Sequence, residues 1–119
     1  MTKFATDPEL IHAVNQYNLE AQNQLTPYFA REGTAGAFSE QDLAGTNAPF
    51  ISPDMFREMC FPYFKKRVKN VKQHFSQFIF HSCGMNIPLM DMFIEAGVDC
   101  YQSLQTTAGM KVDKLKEEF

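Results

Sequence analysis

Tryptophan is absent from the 119 residues, and the aromatic load falls on twelve phenylalanines. With seven methionines beside them, these rings point to a soft, Phe-rich core. Cysteine is scarce: three residues, an odd number, none of them in a Cys-x-x-Cys pair. No disulfide framework is indicated. Nor does the N-terminus have the pattern of a secretion signal, and a reducing, cytoplasmic setting is expected. No apolar run approaches the ~20 residues that cross a bilayer, so no membrane partner is expected. Basic charge is also in short supply, with 11 Lys and Arg against 14 Asp and Glu, a net charge of −3 and a pI near 5.5. A broad surface for nucleic acid or acidic lipid is therefore not expected. Asn-Gly and Asp-Gly are both missing, and with them the strongest signal for two-residue hairpins.

What is present centres on Phe78-Ile79-Phe80-His81-Ser82-Cys83-Gly84. A short unbroken apolar run reads as a strand buried on both faces, as in a parallel sheet. His81 and Cys83 then fall where the strand ends and a loop begins. In βα architectures that edge carries the chemistry, because the loops leaving the strand ends converge there. An imidazole and a thiol at that position make half of a zinc site. A bare His-x-Cys is more often a satisfied core pair than half of a metal site, and spacing alone does not reverse that.

Around this segment the chain alternates. Asp7 and Pro8 start a helix, one as cap and the other in the first turn. Leu10, Val14, Tyr17, Ala21, Leu25 and Tyr28 recur at spacings of three and four, predicting one apolar stripe to about residue 30. Pro27 should bend or tighten the last turn, and Gly33 ends the helix. Gly36 to Ser39 is a weak strand candidate, followed by Glu40-Gln41-Asp42, read either as a functional acidic edge or as a solvated loop. Ser52-Pro53-Asp54 repeats the helix-start pattern, and Pro62 should break or kink this second helix. Phe64, Val68, Val71 and Phe75 continue an apolar face. Lys65, Lys66, Arg67, Lys69 and Lys72 read as its solvated exterior. His12 and His74 read as surface residues, Cys60 and Cys100 as small core residues. A short helix over Ile87 to Ile94 ends at Gly97. A strand over Val98 to Gln102 then carries Gln102 and Gln105 to its exit edge, and a last helix begins at Val112.

The order is a helix followed by three strand–helix units, which implies parallel strands with right-handed crossovers. Parallel strands put all their exits on one side. Glu40 and Asp42, His81 and Cys83, and Gln102 and Gln105 would then face a common site.

Several motifs in register resemble the uroporphyrinogen decarboxylase superfamily of (β/α)8 barrels. They are Asp7-Pro8-Glu9-Leu10, Ser52-Pro53-Asp54-Met55-Phe56-Arg57-Glu58, Phe61-Pro62-Tyr63, His81-Ser82-Cys83-Gly84, Glu95-Ala96-Gly97-Val98-Asp99 and Ala108-Gly109-Met110 with Leu115-Lys116. Within it, the His-x-Cys-Gly form is similar to the corrinoid-linked methyltransferase branch. That resemblance implies His81 and Cys83 as zinc ligands, a methyl transfer to or from a corrinoid (cobalamin-type) partner protein, and a second cysteine ligand from a later strand. The later cysteine has no counterpart here, and Glu40-Gln41-Asp42 only partly matches the family's acidic strand exit. A whole barrel takes about 250 residues, so residues 1–119 are read as one partial domain, a central slice of such a barrel. Asp42 or Glu40 is the candidate third ligand. The alternatives are decarboxylase-type activity, or a catalytically inactive remnant that serves as an assembly subunit. An open half-sheet exposes edges and an apolar face, so a homo-oligomer or a complementary barrel fragment is expected as partner.

Overall fold

The computed structural model describes residues 2–119. Helix α1 (Thr2–Thr6) precedes α2 (Pro8–Phe29), and the Asp7 side chain between them caps α2 by accepting from Leu10 N at 3.3 Å. Strand β1 (Gly36–Glu40) follows, then α3 (Pro53–Met59) and α4 (Phe61–Val71). Ser52 Oγ caps α3 by accepting from Met55 N at 3.2 Å. The expected break falls at Cys60, which separates α3 from α4 and leaves Pro62 in the first turn of α4, where its missing N–H costs nothing. Strand β2 (Gln77–His81), a 3-10 turn at Ile87–Leu89, α5 (Met90–Ala96), β3 (Cys100–Gln102), a second 3-10 turn at Thr106–Ala108 and α6 (Val112–Glu118) complete the order. Gly97 caps α5 in the left-handed region at φ 90°.

The three strands form one parallel sheet in the order β1-β2-β3. Glu40 pairs with His81, and His81 pairs with Gln102, so the strand exits are level. The parallel order is the one the alternation of elements predicts, and the sheet is consistent with part of the (β/α) barrel that the family resemblance implies. Phe78 and Phe80 are buried on its helix-covered side, in a cluster with Phe56, Val68, Val71, Leu89, Phe93 and Met110. Aromatic edges do much of the packing: Phe64 and Phe80 have centroids 4.9 Å apart, and Phe80 and Phe93 5.1 Å. The molecule is a slab whose shortest extent is 19 Å.

Three expectations are corrected. First, β2 is not buried on both faces. By alternation Phe38, Ile79 and Cys100 share the opposite side of the sheet. Phe38 is 59% exposed there, and Cys100 is exposed rather than a core residue. Second, the apolar stripe of α2 is not its packed face. Tyr17 and Tyr28 are 73% and 76% exposed, and Leu10, Val14 and Leu25 are exposed too, while Leu19 and Thr26 are buried. The inward face is held by polar contacts, such as Asn15 Nδ2 donating to Met59 O at 2.9 Å. Third, Arg67 does not join its lysine neighbours in solvent. It is half-buried between α4 and α2, bonded to Asn23 and Thr26. His12 is also half-buried, with Nδ1 3.0 Å from Tyr63 Oη.

Asp99 ties the sheet to α4. Its Oδ1 lies 2.7 Å from Lys72 Nζ, and its Oδ2 accepts from Phe78 N at 2.8 Å. The Lys72 ammonium first, and the Phe78 amide second, hold this carboxyl below the usual carboxylate range. The stability gained is complete above the unfolded-state value of about 3.9 and is lost as pH falls through the depressed folded value. Asp99→Asn should therefore lose less stability than the parent between pH 5 and pH 2, by about 1 kcal/mol or less given the solvent exposure of the pair. Urea titrations of both proteins across that range check this; parallel curves would remove Asp99 from the acid response.

Candidate metal centre

The level strand exits bring three candidate ligands together. The ladder runs one step past the strands: Gln41 N donates to His81 O at 3.0 Å, and Ser82 N to Gln102 O at 2.9 Å. Asp42 therefore lies beside the Cys83 loop, and its Oδ1 accepts from Cys83 N at 2.8 Å. His81 Nε2 lies 3.5 Å from Cys83 Sγ and 3.8 Å from Asp42 Oδ1. One donor atom from each of Asp42, His81 and Cys83 falls within 4.8 Å of the others.

The surrounding side chains fix these atoms. His81 Nδ1 is hydrogen-bonded to Gln102 Oε1. An amide oxygen only accepts, so Nδ1 carries the proton and Nε2 presents its lone pair to Cys83 and Asp42. Gln105 Oε1 accepts from Gly84 N at 2.9 Å. Ser82 and Asn86 are fully buried under the loop. Asn86 Nδ2 donates to Cys83 O at 2.7 Å, Ser82 Oγ accepts from Leu43 N at 3.0 Å, and Tyr101 Oη donates to Ser82 O at 2.5 Å. Burial pushes the Tyr101 phenol up to about 12, so it stays a donor throughout the physiological range. Ser103 Oγ lies 3.5 Å from Cys83 Sγ.

His81, Cys83 and Asp42, expected to face a common site, lie together at the strand exits. Gln102 and Gln105, expected to face the common site, border it: Gln102 orients the imidazole and Gln105 holds the loop. Glu40 pairs with His81 in register but stays exposed and outside the cluster. Ser82, Asn86, Tyr101 and Ser103 were not foreseen. Ser82 is the middle residue of His-x-Cys-Gly and Asn86 follows the motif by two positions, and these two short polar residues were the available signal. Nothing in the sequence marks Ser103.

The donor set fits zinc. Bond lengths of about 2.0–2.1 Å to nitrogen, 2.3 Å to sulfur and 2.0–2.2 Å to oxygen, at tetrahedral angles, put N and S about 3.6 Å apart and N and O about 3.4 Å apart. The separations of 3.5 and 3.8 Å come close to these values. Were all three to bind one ion, a fourth position would stay open, as it does in catalytic rather than structural zinc sites.

Among the described residues no helix is long and apolar enough to cross a membrane. The family model for uroporphyrinogen decarboxylase (URO-D) matches residues 1–117. No curated protein and no solved structure matches the chain.

Proposed function

The chain belongs to the uroporphyrinogen decarboxylase family, and from that premise we propose that Asp42, His81 and Cys83 hold a zinc ion that activates a thiol or a related methyl acceptor or donor. This is the chemistry of the zinc-dependent methyltransferase branch, in which the methyl group passes to or from a corrinoid carried by a partner protein. The observation that carries the proposal is the meeting of Oδ1, Nε2 and Sγ from two neighbouring strand exits within 4.8 Å. When bound, the ion would act as a Lewis acid that lowers the pKa of a coordinated thiol. The chain's own residues supply the setting. Gln102 holds the imidazole in the tautomer that offers Nε2, the outer partner that a histidine ligand needs. Asp42 both offers a carboxylate oxygen and fastens the Cys83 amide, so its loss would affect the position of the thiol as well as the ligand count. The decarboxylase reading leaves the His81–Cys83 pair without a role.

Zinc measured by mass spectrometry on the full chain, after loading and desalting, is expected at about one ion per chain. Asp42→Ala should weaken the affinity by at least about tenfold, the lower bound seen when even an outer partner of a metal site is removed. Cys83→Ser should weaken it further. A parent protein that retains no zinc, or an Asp42→Ala variant of unchanged affinity, would contradict the proposal.

A further inference from the structure

Helix α2 is amphipathic the wrong way round. Leu19 and Thr26 are buried, and Asn15 and Asn23 turn toward α3 and α4. At about 100° per residue, the stripe of Leu10, Val14, Tyr17, Ala21, Leu25 and Tyr28 lies roughly opposite that side. Five of the six are exposed, and Ala21 between them is half-buried. Exposed apolar residues scattered singly need no explanation, but a continuous stripe along one helix does. Its spacings of three and four are those of a seam between two helices.

Charge narrows what covers the stripe. Helix α2 contains no Lys or Arg, and its charged residues are Glu9 and Glu20. A helix that lies on a membrane has basic residues on its polar side, so an acidic lipid surface does not fit. The order of the stripe points to a copy of itself, because its positions are nearly symmetric about residue 19. Set two copies of α2 antiparallel with their centres level. Tyr17 then meets Ala21 of the second copy, Leu25 meets Val14, and Tyr28 meets Leu10. Each contact joins a larger side chain to a smaller one, which is how facing layers interdigitate. Glu20 falls level with Asn18, not with a second Glu20, and the two helix dipoles oppose. A parallel pair would instead set Tyr17 on Tyr17 and Glu20 level with Glu20. The area also suffices. With both tyrosines about three-quarters exposed and the aliphatic residues about half exposed, the stripe presents on the order of 500 Å². A symmetric pair would bury about 1,000 Å², the lower bound for a specific interface.

We propose that the outward stripe of α2 binds a second copy of this chain, as an antiparallel helix pair about a two-fold axis level with residue 19. The same patch serves both copies, as two-fold symmetry requires. This interface lies on the helix layer, away from the uncovered side of the sheet, and it does not rest on the metal centre.

Sedimentation velocity of the full chain over a concentration series is the test. A reversible dimer with a dissociation constant in the micromolar range is expected, as suits so small an interface. It should form equally with and without zinc, so failure of the metal centre leaves the test intact. Tyr17→Ala should weaken the dimer by roughly thirtyfold or more, since the side chain is lost twice per dimer. Tyr17 is exposed in the single chain, so circular dichroism should show an unchanged fold. Ala21→Tyr should also weaken the dimer, because two tyrosines then collide. The double variant Tyr17→Ala with Ala21→Tyr should restore most of the affinity, because each large side chain again meets a small one. A chain that stays monomeric at submillimolar concentration would overturn the proposal. So would a dimer that survives Tyr17→Ala and is lost in Phe38→Ser, which would place the interface on the sheet. A double variant no tighter than Ala21→Tyr alone would overturn the antiparallel register.

Discussion

Replacing Phe80 with alanine is expected to cost about 3–5 kcal/mol of stability, the range for removing a buried aromatic ring. Phe80 is 1% exposed, and its ring meets Phe64, Phe93 and Tyr101 at centroid distances of 4.9, 5.1 and 6.3 Å. Neighbouring rings cannot collapse into so large a void without leaving their own rotamers. A small domain has only about 5–15 kcal/mol in total, so the variant should melt far below the parent. Phe38→Ala is the control. It removes the same side chain from the uncovered face of the sheet, where 59% of the residue is exposed. Urea denaturation should show a loss several times smaller. Equal losses would mean that something covers that face in solution, as the expected homo-oligomer or complementary fragment would.

Gly84→Ala should cost roughly 2–5 kcal/mol and abolish metal retention. Two effects add. The residue sits at φ +86°, where a side chain brings about 1–2 kcal/mol of strain. A Cβ there would also lie 2.3 Å from Ala44 O and 2.7 Å from Gly45 O, both backbone atoms with no rotamer to change, so the overpacking cost of about 1–3 kcal/mol applies. Relief requires the 81–86 loop to lift from the 44–45 segment. That would stretch the bonds Met85 N to Gly45 O and Cys83 N to Asp42 Oδ1, and pull the thiol from the carboxylate. Gly33→Ala separates the two effects. Its φ is +84°, yet nothing lies within 4 Å of the added carbon. It should show the strain alone and keep its metal. A Gly84→Ala protein as stable as Gly33→Ala would show that the close approach is not maintained in solution.

The parts of the fold legible in the sequence are those set by local chemistry. Asp7, Ser52 and Gly97 end or begin helices because of what their own atoms can do, and each does so. The parallel order followed from the alternation of elements. The parts that failed depend on what lies across a face. The α2 stripe was sought by hydrophobicity, but the helix turns Asn15, Asn23 and Thr26 inward, because α4 offers them Arg67 and α3 offers the Met59 carbonyl. Ile79 and Cys100 read as core because the run around them is apolar, while only one side of the sheet is covered. At the site, His81 and Cys83 were legible from their position at a strand exit. The choice of Asp42 over Glu40 was not, since it is decided by a hydrogen bond to Cys83 N across 41 residues of chain.

X-ray absorption at the zinc edge of the zinc-loaded chain reads the first coordination shell directly. Convergence of the β1 and β2 exits on one ion predicts a single sulfur at about 2.3 Å, with nitrogen and oxygen at about 2.0–2.2 Å, and loss of the sulfur in Cys83→Ser. A shell without sulfur, or with two sulfurs, would contradict a site built from Asp42, His81 and Cys83 of one chain.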